Sequence, residues 1–284
     1  MNTTKIGWIG LGKMGIPMSQ SLVKAGFPVM VYNRNKEKEA SLTDSGAGTA
    51  ATPAALIKQN EIVIVMVTDD KAISDIFKGD NGLLSAGTSG KTIINMSTVS
   101  PAISKEMAAA CKQQGNHYLD APVSGSVKQA QEATLVIMAG GDESTFEKVK
   151  PIFEKIGRMA MLVGETGAGN TAKLVINTLL GIHAQGLAEA AIFAEQNGVK
   201  SIDLMTLINN SALGSPFIKI KGEAIVNNNF NAMFSLSNIA KDLRLAKDIG
   251  LSTPLGEVAY KTFQDAEPAF GNEDIIAVYK QLDI

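Results

Sequence analysis

A glycine-rich turn close to the amino terminus constrains the fold more than any other part of the sequence. Residues 5–11 are apolar and predict a buried strand, which breaks into a G-x-G-x-x-G motif beginning at Gly10. Residues 13–25 then predict a helix and residues 29–32 a second strand. A strand, a glycine-rich turn, a helix and a strand in one compact unit are the context in which this motif indicates dinucleotide binding.

Each glycine of the turn has a separate physical reason to be there. Gly10 permits the tight turn, Gly12 lets the backbone approach a pyrophosphate, and Gly15 lets helix and strand pack closely. The phosphates then lie at the helix N-terminus, where free amides and the helix dipole favour negative charge. We therefore expect the whole turn to contact the cofactor, including the intervening residues Leu11, Lys13 and Met14.

The end of the second strand indicates which dinucleotide binds. NAD sites usually place a carboxylate there for the ribose hydroxyls, whereas an arginine accommodates a ribose phosphate. Here Tyr32 is followed by Asn33, Arg34, Asn35 and Lys36, with no carboxylate before residue 37. We therefore predict NADP(H), with Arg34 at the phosphate, Asn33 as a neutral hydrogen-bonding group and Lys36 beside them. A solvated surface arginine is the alternative interpretation of Arg34.

The rest of the chain predicts two domains. Strands and helices alternate as far as residue 163, and only helices are predicted after Gly167. This pattern predicts an α/β fold in which an N-terminal Rossmann-type dinucleotide-binding domain, residues 1–164, is followed by an all-α domain, residues 165–284. A long helix joins the two.

Composition argues against several functional classes. The 26 basic and 28 acidic residues leave a net charge of -2, which does not favour nucleic acid as a partner. No segment is long and apolar enough to cross a membrane, and the amino terminus lacks the pattern of a signal peptide, so we expect no membrane association and a cytoplasmic location. Cys111 is the only cysteine and there are two histidines, which predicts neither a disulfide nor a metal site.

The long helix carries a lysine in an unusual position. Residues 174–182 are apolar almost all the way round, and Lys173 stands at the beginning of that run. Burying an ammonium group is costly unless it is paired, and Asn177 lies one turn further on the same helix face. The pair can present a proton donor and an amide to a small ligand, and their position at a domain boundary favours a ligand site. Alternatively, Lys173 extends to solvent and Asn177 bonds a neighbouring helix.

Four separated segments of the chain resemble the β-hydroxyacid dehydrogenase family. They are the dinucleotide motif in residues 7–18, the Asp-Ala-Pro-Val-Ser-Gly-Ser of residues 120–126, the segment with Lys173 and Asn177 in residues 167–177, and the Lys-Asp-Leu of residues 241–243. The resemblance implies that Lys173 is the catalytic lysine and Asn177 its partner. It also implies a small aldehyde acid or hydroxy acid as substrate.

Further site residues are implied by the same resemblance. Ser124, Gly125 and Ser126 are implied to hold the substrate carboxylate, and Lys173 and Asn177 are implied to contact the substrate at its reacting oxygen. Met66, Thr98 and Lys241 are implied to contact the cofactor, with Lys241 against the nicotinamide.

Within the family, the sequence is most similar to the glyoxylate/succinic semialdehyde reductase branch. Asn33-Arg34 resembles its NADP-selecting turn, residues 124–128 resemble its substrate loop, and Phe234 and Asp242 fall where that branch lines its substrate pocket. An aromatic residue between helices is otherwise usually part of the core, so Phe234 has that alternative interpretation. This similarity implies NADPH-dependent reduction of succinic semialdehyde and glyoxylate.

Two alternative functions follow from the same sequence. One is 3-hydroxyisobutyrate dehydrogenase or tartronate semialdehyde reductase activity, and the other is a noncatalytic dinucleotide-binding module. The all-α second domain also predicts a homodimer or homotetramer, because its helices can pair between subunits.

Overall fold

The computed structural model describes residues 3–283, which form two compact units. The first unit ends at Lys173 and the second begins at Leu174. The first is an α/β unit of the Rossmann type, and the second consists of helices. The predicted fold class is therefore confirmed.

The first unit is organised around one mixed sheet. Among residues 3–283 its strands are β1 (Ile6–Ile9), β2 (Val29–Tyr32), β3 (Gly48–Thr49), β4 (Ile62–Val65), β5 (Thr92–Asn95), β6 (His117–Asp120), β7 (Val123–Ser124), β8 (Leu135–Gly141) and β9 (Gly157–Gly164). Their order is β3-β2-β1-β4-β5-β6-β8-β7, and β9 pairs with β8. All neighbours from β3 to β6 are parallel, whereas β8 is antiparallel to β6 and β7.

This strand order determines where a ligand binds. The central strands β1, β4 and β5 are buried at every position because helices cover both faces of a parallel sheet. Chain order reverses at β1, which lies between β2 and β4. Ligands of such sheets bind outside the carboxyl ends of the strands at this reversal. The glycine-rich turn follows β1 directly and is therefore at that position.

The helices of the first unit begin where the sequence predicts caps. Thr52 accepts a hydrogen bond from the Ala55 amide and Ser100 one from the Ile103 amide, each followed by a proline in the first turn. The helices wholly within this unit are α1 (Gly15–Lys24), α2 (Ala40–Thr43), α3 (Pro53–Gln59), α4 (Asp70–Lys78), α5 (Pro101–Gln113), α6 (Val127–Gln131) and α7 (Glu143–Phe153).

A long helix, α8 (Ala168–Gln196), leads from the first unit into the second. The later helices are α9 (Ser201–Asn209), α10 (Pro216–Val226), α11 (Leu236–Asp248), α12 (Pro254–Phe270) and α13 (Val278–Leu282). The second unit has its own apolar core, in which Ile239, Leu243 and Phe263 are completely buried. The helix α8 packs against this core, since a Cβ on Gly181 would lie at an ordinary contact distance, 3.5 Å, from Leu243 and from Phe263. Within residues 3–283, none of the helices has the length and hydrophobicity needed to span a membrane.

Two segments contain short elements. Residues 121–134 contain β7 and α6, and a 3-10 turn at Ile275–Ala277 precedes α13. The boundary between the two units lies after Lys173, because the first turn of α8 is hydrogen-bonded to the sheet through Asp120. Short elements such as β7 depend on pairing with β8, which local sequence does not encode.

Candidate active site

In the glycine-rich turn, Gly10 and Gly15 pack so closely against other backbone atoms that no side chain fits there. Gly10 has φ +100°, and a Cβ there would lie 2.1 Å from the carbonyl oxygen of Met66. A Cβ on Gly15 would lie 2.0 Å from the Gly10 carbonyl oxygen, which also accepts a hydrogen bond of 2.9 Å from the Trp8 indole. A Cβ on Gly12 would meet nothing within 4 Å. The protein itself thus requires glycine at 10 and 15, whereas it has room for a side chain at 12.

Asn33 holds this turn from the end of β2. Its Oδ1 accepts a hydrogen bond of 2.9 Å from the Leu11 amide, and its Nδ2 donates to the Asn35 carbonyl at 2.7 Å. Both ends of the amide are therefore bonded to the protein. Arg34, the next residue, is exposed.

Sequence reasoning missed a carboxylate near the predicted phosphate site. Glu39 is buried, and its Oε1 accepts a hydrogen bond of 2.8 Å from the Asn33 amide. The Lys36 ammonium lies 2.8 Å from the same oxygen and 4.3 Å from the centre of the Tyr32 ring. The spacing of Lys36 and Glu39, three residues apart in a turn, was the available signal. Lys36 therefore neutralises the negative charge at this end of β2.

Two more of the expected cofactor residues lie at the same edge of the sheet. Met66 follows β4 and Thr98 follows β5, and both are half-buried. Because β1, β4 and β5 are adjacent and parallel, their carboxyl ends bring Gly10, Met66 and Thr98 to one edge. The Met66 amide donates to the Ile9 carbonyl at 2.8 Å, which joins the first two of these loops.

The amino terminus of α8 is attached to this edge by a buried carboxylate. Asp120, the last residue of β6, is fully buried, and it accepts hydrogen bonds from the Gly167 amide at 2.7 Å and the Asn170 amide at 2.8 Å. Burial raises the pKa of Asp120, and these two amide bonds act in the opposite direction. Lys173 follows one turn later and is itself only 8% exposed. The structure thus presents Lys173 at the start of a helix that is held at its first turn.

The expected carboxylate-binding loop follows β6. Ser124 ends β7 and is half-buried, and Gly125 is exposed with φ +138°, a conformation that favours glycine. Ser126 caps α6: its amide and its hydroxyl bond the Gln129 side chain at 2.9 and 2.6 Å. Ser126 therefore has a structural role as the start of a helix, which the sequence pattern of small residues did not indicate.

In the second unit, three of the expected site residues are connected. The Asn177 amide donates to Asp242 Oδ2 at 2.6 Å, and the Lys241 ammonium lies 3.0 Å from Asp242 Oδ1. Asn177 and Asp242 are 2% and 3% exposed. A carboxylate only accepts hydrogen bonds, so the NH2 of Asn177 must face Asp242 and its carbonyl oxygen must face away. Asp242 thereby sets the orientation of both neighbours.

Phe234 lies in a separate loop of the second unit. It packs against the helical core and remains half-buried. The amides of Met233 and Phe234 donate to Asp274 Oδ2 at 3.0 and 3.3 Å, and the Lys221 ammonium lies 2.7 Å from Asp274 Oδ1. This buried ion pair holds the loop, and the ring of Phe234 has both core contacts and an open side.

The described part of the chain offers neither a cluster of metal ligands nor a reactive thiol. No cluster of three His, Cys, Asp or Glu side chains is placed to hold a metal ion there. Cys111 is buried, and burial raises the pKa of its thiol to about 12. A thiol with that pKa stays protonated at neutral pH and is a poor nucleophile.

Comparison with known proteins agrees with these features. Residues 5–164 match the family described as the NAD binding domain of 6-phosphogluconate dehydrogenase. Residues 167–282 match the family described as the NAD-binding domain of NADP-dependent 3-hydroxyisobutyrate dehydrogenase. The chain is 33% identical to the 2-hydroxy-3-oxopropionate reductase of Escherichia coli (strain K12), over 99% of this chain and 97% of that protein. The chain belongs to the β-hydroxyacid dehydrogenase family.

Two further similarities extend over nearly the whole chain. Glyoxylate/succinic semialdehyde reductase 1 of Arabidopsis thaliana is 33% identical over 96% of both chains. The structure of 3-hydroxyisobutyrate dehydrogenase from Mycobacterium tuberculosis with L-serine superposes with a TM-score of 0.89 at 29% identity and covers 100% of both chains. The protein is therefore an NAD(P)-dependent hydroxyacid dehydrogenase, an oxidoreductase whose first unit binds a nicotinamide dinucleotide.

The different surroundings of Gly12, which is exposed, and Gly15, which is buried, lead to a prediction. Gly12→Ala has space in the protein, so the free energy of unfolding should stay within about 0.5 kcal/mol of wild type while the dinucleotide Kd rises. Gly15→Ala forces the turn apart, so thermal stability should fall as well. Differential scanning fluorimetry and dinucleotide titration by fluorescence measure the two effects. An unchanged Kd for Gly12→Ala would contradict the position assigned to the pyrophosphate.

Proposed function

We propose that the protein reduces short-chain aldehyde acids with NADPH, converting succinic semialdehyde to 4-hydroxybutyrate and glyoxylate to glycolate. One observation supports this most directly: the buried Lys173 stands one helical turn before Asn177, whose amide is held by Asp242. A positioned ammonium group is what a carbonyl reduction needs, because the oxygen becomes negatively charged as hydride arrives. The 33% identity to the Arabidopsis reductase supports the choice of substrates.

The proposed mechanism assigns one task to each group. Ser124 and the backbone amides around Gly125 hold the substrate carboxylate through charge-assisted hydrogen bonds, which fixes the aldehyde carbon in position. The bound dinucleotide supplies a hydride to that carbon. Lys173 stabilises the developing alkoxide and transfers its Nζ proton to the oxygen, which yields the alcohol and a neutral lysine. Solvent then returns a proton to Lys173.

The remaining site residues support these steps in our proposal. Asn177, with its NH2 bonded to Asp242, offers its carbonyl oxygen to orient the Lys173 ammonium. In the second unit, Lys241 would shield the nicotinamide and Phe234 would contact the substrate. The residues of Gly10–Gly15 would hold the dinucleotide, and Met66 and Thr98 would contact it from the neighbouring loops.

A second substrate class has specific support. The E. coli 2-hydroxy-3-oxopropionate reductase is as similar to the chain, at 33% identity, as the Arabidopsis reductase. Tartronate semialdehyde and methylmalonate semialdehyde are therefore the next substrates to assay. Both have an aldehyde and a carboxylate on a short carbon chain, so the same residues would act in the same roles.

Replacing Lys173 tests the mechanism. Lys173→Ala should lower kcat for succinic semialdehyde by about 100- to 10,000-fold, because the proton donor is lost, while NADPH binding is retained. Initial rates of NADPH oxidation measure the first effect and fluorescence titration the second. Lys112→Ala, which changes an exposed lysine of α5, is the control and should keep wild-type rates. Near-normal turnover by Lys173→Ala would rule the mechanism out.

The preference for NADPH is a separate proposal. It rests on the exposed Arg34 next to the turn and on Lys36, which neutralises Glu39 and so prevents repulsion of a ribose phosphate. Arg34→Ala should raise the KM for NADPH by about 10-fold or more and leave the KM for NADH nearly unchanged, since a charge-assisted bond to phosphate is lost. Lys38→Ala, also exposed, is the matched control. Equal effects on the two cofactors would contradict this assignment.

We also propose a homodimer or homotetramer. Four large apolar side chains of α8 are exposed: Val175, Ile176, Leu179 and Phe193, at 63%, 41%, 54% and 69%. Exposed apolar surface of this kind marks protein interfaces. Leu179→Glu and Phe193→Glu should each shift sedimentation towards the monomer, whereas Lys219→Glu on the exposed face of α10 should not. A monomeric wild-type protein at micromolar concentration would refute the proposal.

A further inference from the structure

Asn170 makes a set of contacts that the reaction scheme does not use. It is completely buried in the first turn of α8, three residues before Lys173. Its Nδ2 donates to Ser104 Oγ at 3.2 Å, its Oδ1 accepts from the Val99 amide at 3.0 Å, and its own amide donates to Asp120 at 2.8 Å. One side chain thus connects the helix to α5 and to the loop after β5.

The contacts of Asn170 continue as a buried chain of hydrogen bonds within the first unit. Ser104 also bonds the Tyr118 hydroxyl, which accepts from Asn95 Nδ2 at 3.1 Å. Asn95 Oδ1 accepts from the Ser97 amide at 3.0 Å, and Ser97 Oγ accepts from the Val67 amide at 2.9 Å. Burial raises the pKa of Tyr118, so its hydroxyl stays protonated and in the network. The loops that follow β4 and β5 are therefore joined to the first turn of α8 through side chains.

The side-chain hydrogen bonds of Asn170 limit the rotation of α8 about its own axis. Residues 170, 173 and 177 are three and four apart, so Asn170, Lys173 and Asn177 lie on one face of α8 in successive turns. The Asp120 carboxylate restrains the end of the helix, but two amide bonds at its tip leave rotation about the helix axis possible. The bonds of the Asn170 side chain to Val99 and Ser104 oppose that rotation.

We propose that Asn170 is a positioning residue for the reductase reaction. By bonding the Val99 amide it holds α8 in register with the loop that carries Thr98, and so sets the place of the Lys173 ammonium. This inference rests on the proposed catalytic role of Lys173. A misplacement of about 1 Å is enough to lower a rate about 100-fold, so a small rotation of the helix has a large effect.

A double-mutant cycle tests this role. Asn170→Ala alone should lower kcat about 10- to 100-fold, with the NADPH Kd unchanged. In the Lys173→Ala background the same substitution should cause no further loss, because the group that it positions is gone. Asn116→Ala is the matched control, since Asn116 is also buried, donates to Thr88 O at 2.8 Å and accepts from the Lys91 amide at 2.9 Å. Asn116 precedes β6, at the opposite edge of the sheet, so Asn116→Ala should lower stability but not kcat.

Each outcome of the cycle has a definite meaning. The positioning role is overturned if Asn170→Ala keeps the wild-type kcat. It is also overturned if the substitution lowers kcat by the same factor with and without Lys173. If Lys173→Ala itself turns over normally, the proposed function fails and the cycle shows it independently of Asn170. If Asn170→Ala does not fold, Ser104→Ala replaces it. That variant deletes one acceptor, should lower kcat only while Lys173 is present, and overturns the inference if its kcat is that of wild type.

Discussion

The hydrogen bonds between the Asp120 carboxylate and the start of α8 are the contacts on which the arrangement of the first unit depends. A fully buried carboxylate is costly, and burial raises its pKa. Two backbone amides of a helix N-terminus offset that cost, because they donate hydrogen bonds and carry the positive end of the helix dipole. The close approach also requires glycine nearby: a Cβ on Gly140 would lie 2.7 Å from an Asp120 oxygen, and one on Gly169 3.0 Å from the other. This attachment fixes the start of the helix that carries Lys173.

Buried carboxylates orient functional groups in both units. Asp120 holds the helix that carries Lys173, while Asp242 faces the amide of Asn177 and the ammonium of Lys241. In each case the carboxylate can only accept hydrogen bonds, so the donors of its partners must point towards it. An apolar contact of equal area does not fix an orientation in this way. Such preorganisation matters for a reaction in which charge develops on one oxygen, since donors that are already oriented need not rearrange during hydride transfer. Glu39 has a comparable effect at the cofactor turn, where it bonds the Asn33 amide and Lys36.

The candidate site was predictable wherever its chemistry depends on local backbone geometry. The need for glycine at 10 and 15 follows from a turn of six residues, and the caps at Thr52 and Ser100 follow from residues within three positions. Lys173 was conspicuous because an ammonium stands at the start of an apolar helix. The partners of these residues were not predictable. Asp120 meets Gly167 across 47 residues and Asn177 meets Asp242 across 65, and single-sequence patterns carry no signal over such separations. Asn33, expected as a neutral hydrogen-bonding group for the cofactor, is bonded to the protein through both its Oδ1 and its Nδ2.

The sequence by itself determined the class of the fold and the family, and it placed a glycine-rich turn after the first strand and a lysine at the start of an apolar helix. Strand and helix periodicity, glycine conformation and helix capping are short-range properties, and they act within a few residues of one another. Only the tertiary structure decided which strands are neighbours, where the contacts of α8 change from the first unit to the second, and which carboxylate orients which amide. These features depend on packing between segments far apart in the chain, where burial makes each unpaired polar group costly and so selects one set of partners.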